Sequence, residues 1–186
     1  MGIVLSKGSK INLKKESPSG KKFVVGLGWD IGDSAQLDLD ASAFIVGANG
    51  KLLSDDHFIF YNNASSPDGS VIYSGDNRTG AGDGDDESLI IDTALINPAA
   101  QQIVFCCSID AAEKRNQNFS QVSNAYIRIY EQETSNVLAT YLLAEAASNE
   151  TAFILGRLVN SSNGWEFEAY PMGYPGGLET LVEIYQ

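Results

Sequence analysis

The chain predicts an all-β protein: one antiparallel β-sandwich with one or two short helices, built by residues 1–186 as a single domain. Three observations predict it. Apolar, β-rich runs, alternating or continuous, recur along the chain. Turn chemistry rich in Gly, Pro and Asn separates them at short intervals. Helical periodicity is sparse, so the strand–helix alternation of a parallel α/β sheet is missing. A length of 186 residues suits one domain and buries a core without staples.

Short strands are expected at 3–6 and 11–14. Longer runs follow at 22–29, 39–46, 57–61, 88–92, 102–109, 125–131, 137–143, 151–159 and 165–170. Ser17-Pro18-Ser19-Gly20 and Pro67-Asp68-Gly69 read as turns. Asn49-Gly50 and Asn163-Gly164 read as hairpin turns, since both central residues tolerate positive φ and strand-like sequence flanks them. Asp110 is expected to cap a short helix over 111–119, with Glu113 completing a capping box. Apolar residues at 178, 181 and 182 give 178–184 a helical spacing. The segment 170–177, with two prolines and three glycines, reads as a loop.

Composition excludes several functions. Lys and Arg number 12 against 24 Asp and Glu, a net charge of −12. Such a surface does not neutralise phosphates, so nucleic acid is not an expected partner. The apolar runs are far shorter than a membrane span. The N-terminus lacks the charged, apolar and small-residue zones of a secretory signal. Gly2 with Ser6 matches the loose myristoylation pattern, but a first strand explains Ile3, Val4 and Leu5 equally well. Cys106 and Cys107 are adjacent, and neighbouring strand residues face opposite ways, so a bridge between them is geometrically poor. They read as reduced thiols, one in the core and one near the surface, consistent with a cytoplasmic location. One histidine, His57, and no spaced cysteines leave no zinc site. His57 reads as a structural residue. No phosphate-cradling loop, nucleophile elbow or zinc-protease motif is present, and no enzyme activity is expected.

The richest segment is 75–92, GDNRTGAGDGDDESLIID. Asp76, Asp83, Asp85, Asp86, Glu87 and Asp92 crowd into it, with Arg78 the one basic residue. Like charges this close repel, and a bound cation removes that cost. Gly75, Gly80, Gly82 and Gly84 let the backbone turn and aim carbonyls inward. Hard oxygens on a flexible loop suit Ca²⁺ better than Mg²⁺, which demands near-ideal octahedral order. The bland alternative is a solvated acidic turn. A second acidic pair, Asp38 and Asp40, has the i, i+2 spacing that shares one strand face. It fits either the rim of a metal site or a solvated strand edge, and Asp30 and Asp33 lie just upstream. Paired acids also cleave glycosides, but there two carboxyls flank a sugar, whereas these cluster in one loop.

Several segments together resemble a known family. Gly26-Leu27-Gly28-Trp29-Asp30, Leu37-Asp38-Leu39-Asp40-Ala41-Ser42, Asn62 through Gly69, Gly75-Asp76-Asn77 with Gly84-Asp85-Asp86-Glu87, and Asn124-Ala125-Tyr126-Ile127-Arg128 are similar to the TerD-type tellurite-resistance and stress-response proteins. The match runs in order along nearly the whole chain. The resemblance implies a calcium-binding β-sandwich in a bacterial cytoplasm. It implies association with other tellurite-resistance and stress proteins, with the inner membrane face as one place for it, and brings no defined reaction. It carries the metal role to Asp38, Asp40, Asp76, Asn77, Asp83, Asp85, Asp86 and Glu87, with Asp83 in the variable part of the block. Six to eight oxygens per Ca²⁺ allow about one or two adjacent ions. Two other readings stand beside it: a Ca²⁺-dependent module that binds phosphate or carbohydrate, and a carboxylate- or metal-dependent hydrolase.

Overall fold

A computed structural model describes residues 2–31, 37–75, 84–143 and 149–186. Its strands are β1 (Ile3–Val4), β2 (Lys10–Asn12), β3 (Lys22–Ile31), β4 (Leu39–Val46), β5 (Phe58–Ile59), β6 (Val71–Tyr73), β7 (Glu87–Asp92), β8 (Gln102–Ile109), β9 (Val122–Glu131), β10 (Val137–Leu142), β11 (Ala152–Ser161) and β12 (Gly164–Tyr174). The helices are α1 (Leu13–Glu16), α2 (Ala112–Arg115) and α3 (Gly177–Tyr185). Two six-stranded sheets form the sandwich. The first runs β1-β10-β9-β3-β7-β6 and the second β2-β12-β11-β8-β4-β5. Pairing is antiparallel except where β1 lies parallel to β10. No described helix is long and apolar enough to cross a membrane.

Alternation explains the layering. On β3, Phe23, Val25, Leu27 and Trp29 enter the space between the sheets, and on β4 Leu39, Ala41, Ala43 and Ile45 meet them. The opposite face of β4 carries Phe44 and Val46, which form a second apolar cluster with Val104, Cys106, Ile154 and Leu181. Leu181 comes from α3, so this helix roofs the outer face of the second sheet. Thr151 Oγ1 accepts hydrogen bonds from the Gly176 and Gly177 amides at the start of α3 (3.1 and 2.8 Å). At its end, the Leu52 amide donates to the Tyr185 carbonyl (2.6 Å).

Several expectations change here. Both cysteines are buried, Cys106 under α3 and Cys107 between the sheets, so neither lies near the surface. Burial pushes both thiols up. The segment 170–177 is not a loop throughout, because β12 continues to Tyr174. Pro171 fits there because the register shifts: Ile154 pairs with Met172 and Gly156 with Ala169, leaving two β12 residues opposite one on β11. A bulge is where a sheet accepts a residue with no amide proton. The helix expected over 111–119 is one turn, and Asp110 does not cap it: Ala111 stands at its start in left-handed backbone, without a side-chain cap. The capping box forms later, between Asn118 and Gln121, on a 3₁₀ turn. The β6 edge strand, three residues long, is too short to show a strand period in the sequence.

Candidate functional site

The site forms where β7 begins. Asp85, Asp86 and Glu87 are consecutive, and their carboxylates take different directions. Asp86 anchors first: its amide donates to the Leu27 carbonyl (2.8 Å), and its Oδ2 accepts from the Trp29 amide (2.8 Å). It is 7% exposed. Burial raises its carboxyl above the usual range, and the charges of Asp30 and Asp85 push the same way, against the Trp29 hydrogen bond.

Glu87 is 2% exposed and opposite Leu27 on β3. Its Oε2 accepts from the Ala41 amide on β4. One carboxylate thus ties the first sheet to the second, joining segments 46 residues apart in sequence. The two acidic segments do meet, through a backbone amide of the LDLDAS strand. The carboxylate of Asp40 stands on the other face of β4 and lines a cleft of about 420 Å³ with Tyr61, Ser108, Asp110, Glu113 and the start of α3. Asp40, Asp86 and Glu87 all lie close enough to Cys107 to raise its thiol further, after burial. Asp38 is half-buried, and its carbonyl accepts from the Asp110 amide (2.7 Å).

Asp85 lies on the outer face of the first sheet. Gly26 and Gly28 leave that face bare. A Cβ on Gly26 would come within 2.0 Å of the Asp85 carboxylate, and one on Gly28 within 2.3 Å of the Tyr126 ring. Arg128, directly across from Gly26 on β9, places Nε 2.7 Å from Asp85 Oδ1. The guanidinium carbon sits 5.7 Å from the Tyr126 ring centre and 5.4 Å from that of Tyr130. The Tyr126 hydroxyl donates to the Gly84 carbonyl (2.9 Å) and lies 3.0 Å from Asp85 Oδ1. Burial, and then the Asp85 charge, push this phenol up, so it remains a proton donor. Nearby, the Asn124 side chain donates to Asp30 Oδ2 (2.6 Å). Asn124 adopts left-handed backbone where the β3–β9 register shifts, a conformation asparagine tolerates.

Asp76, Asn77 and Asp83 lie outside the described residues, as does Asp33. Among the described residues no three Asp, Glu, His or Cys side chains gather tightly enough to hold a metal ion. The buried carboxylates of Asp86 and Glu87 are hard oxygen donors, the ligand class that Ca²⁺ takes. Sequence reading missed Arg128 and Tyr126 as parts of the site, and the amides of Trp29 and Ala41. The facing glycines at 26 and 28 were the available signal, since bare positions inside a strand mark close approach.

A family model described as the TerD domain matches residues 1–185. The chain belongs to the TerD family. It is 47% identical to the tellurium resistance protein TerD of Alcaligenes sp over 187 residues, spanning 100% of this chain and 97% of that protein. General stress protein 16U of Bacillus subtilis is 45% identical over 188 residues, 100% of this chain and 97% of its own length. In fold, the TerD chain is similar to the crystal structure of a telluride resistance protein homologue from Streptomyces coelicolor, with TM-score 0.69, 23% identity, and 88% and 96% of the two chains covered. The β-sandwich is thus shared at low identity. Family membership places this TerD domain among tellurium-resistance and stress-response proteins.

Proposed function

We propose that this chain is a non-enzymatic, calcium-binding member of the stress-response machinery. In this reading Asp86 and Glu87 are the fixed part of the site, and Asp38, Asp40, Asp76, Asn77, Asp83 and Asp85 complete the ligand pool for one or two ions. The observation that carries it is the buried pair Asp86 and Glu87, set beside Asp30 and Asp85 and tied to both sheets. Concentrated buried negative charge is costly, and a divalent cation offsets it. Calcium, when bound, would supply positive charge and six to eight oxygen positions. The chain's own residues do the rest: Trp29 and Ala41 amides orient the carboxylates, and an ion held by Glu87 would lie near the seam that its link to Ala41 forms between the sheets. Association with other tellurite-resistance and stress proteins, in the cytoplasm, belongs to the same proposal as what the family resemblance implies; the relatives' names carry the tellurium and stress roles alone.

A hydrolase reading finds less support. The cleft lined by Asp40 does not include Asp86, an acid whose pKa burial raises. Exposed aromatics beside the acids would favour a ligand-binding module, but Tyr126 and Tyr130 are half-buried and Arg128 lies against both.

The test is calorimetric titration of chelator-treated protein with Ca²⁺, repeated against millimolar Mg²⁺, with thermal melts alongside. Binding that Mg²⁺ does not displace at comparable concentration is expected. Stabilisation of about 2.7 kcal/mol is expected at a hundredfold excess over Kd. No binding heat and an unchanged melting temperature would sink the reading.

A further inference from the structure

Asp85 already has a cation. Its carboxylate fills the notch left by Gly26, touches the Arg128 guanidinium at 2.7 Å and lies 3.0 Å from the Tyr126 hydroxyl. Its side chain is only 8% exposed, against 31% for Arg128. The guanidinium is held in turn by the rings of Tyr126 and Tyr130. Asp86 and Glu87, the next two residues, accept backbone amides instead.

We propose that Arg128 is a resident counter-ion that competes with a bound divalent cation for Asp85, and so sets the protein's calcium affinity. The inference rests on the calcium reading above. An arginine cannot lose its charge near neutral pH, so it is a permanent rival for the carboxylate. A metal that recruits Asp85 must break or share this contact. One that leaves Asp85 in place still feels the positive charge of the guanidinium. Both effects weaken calcium binding, and the shielded pair makes them larger than at an open surface. Arg128 is therefore a positioning residue, acting through Asp85 and through its charge. The compensating gain is in the metal-free protein, where it prevents Asp85 from being a buried charge without a counter-charge.

The experiment is calcium titration of the whole chain, chelator-treated, in five forms: unsubstituted, Arg128→Gln, Arg128→Lys, Asp85→Asn and Asp85→Asn/Arg128→Gln. Arg128→Gln is expected to bind calcium about tenfold tighter, equivalent to about 1.4 kcal/mol. Arg128→Lys keeps the charge without the planar fork and is expected to gain only about threefold. In the Asp85→Asn background the Arg128→Gln gain should shrink, because the two residues act as a unit. A purely structural arginine would give the opposite sign, since a loosened site binds more weakly. A second readout is the melt in chelator: Arg128→Gln should unfold earlier than the unsubstituted chain, and calcium should close the gap. Should Arg128→Gln fail to fold, Arg128→Lys carries the test, and unchanged or weaker binding by it overturns the proposal. Unchanged or weaker binding by a folded Arg128→Gln does the same. Absence of calcium binding by the unsubstituted protein overturns the calcium reading, and this proposal with it.

Discussion

Asp68 shows how much one carboxylate can hold away from any metal. Oδ1 accepts from the Ser66 hydroxyl (2.6 Å), the Ser70 amide (2.9 Å) and the Ser70 hydroxyl (2.7 Å). Oδ2 accepts from the Asn97 amide (2.8 Å), which pins the turn to a loop 29 residues on. Burial alone would raise this carboxyl, but the four donors outweigh it and hold it below the usual aspartate range. A lowered folded value means the contribution to stability is full above the unfolded pKa and disappears as pH falls through the folded one. Asp68→Ala should therefore cost about 2–4 kcal/mol near neutral pH, shrinking in acid, with calcium affinity unchanged. Urea melts at several pH values measure it, and a pH-independent loss would contradict the assignment. Asp86 has the opposite character. Its raised pKa marks a charge the metal-free fold does not favour, so Asp86→Asn, which still accepts from Trp29, should melt higher than the unsubstituted protein in chelator. In saturating calcium the order should reverse, because a ligand and a charge are gone. The same order in both buffers would remove Asp86 from the metal set. The turn around Asp68 was legible in Pro67-Asp68-Gly69; its tie to Asn97 was not, because no local pattern encodes a partner that only tertiary packing supplies.

Among the elements, the long strands were legible and the short ones less so. Residues 39–46 and 102–109 carry the strand runs expected of them, since both faces of each strand are buried and the apolar run is continuous. β12 was cut short in the reading because Pro171 and Gly173 look like breakers; a register shift against β11 absorbs them. The helical spacing at 178, 181 and 182 did mark α3, and its apolar side explains why: Leu181 is fully buried against Phe44, Val104 and Ile154. Leu181→Ala should cost about 3 kcal/mol in a denaturant melt, the range for emptying a leucine site in a packed core. A loss below about 1 kcal/mol would mean that α3 rests loosely on the sheet. The acids of the candidate site were visible in the sequence as a crowd. Their divergence was not: whether a carboxylate meets Arg128, the Trp29 amide or the Ala41 amide depends on strand register and on two glycines facing an aromatic strand.

For the whole molecule, the two sheets and the α3 roof divide the apolar interior into two compartments that share one wall, the sheet containing β8. Cys106 and Cys107 are neighbours on that wall and look into different rooms. Burial holds both in the unreactive thiol form. A thiol-specific reagent therefore cannot reach them through the same motion. Cys106 should become accessible when α3 lifts, a smaller opening than parting of the two sheets. Cys107 becomes accessible only when the sheets part. The chain thus carries two built-in clocks side by side. Their labelling rates separate detachment of the roof from opening of the whole, and a cation seated at the Glu87 seam would slow the second clock while leaving the first to run.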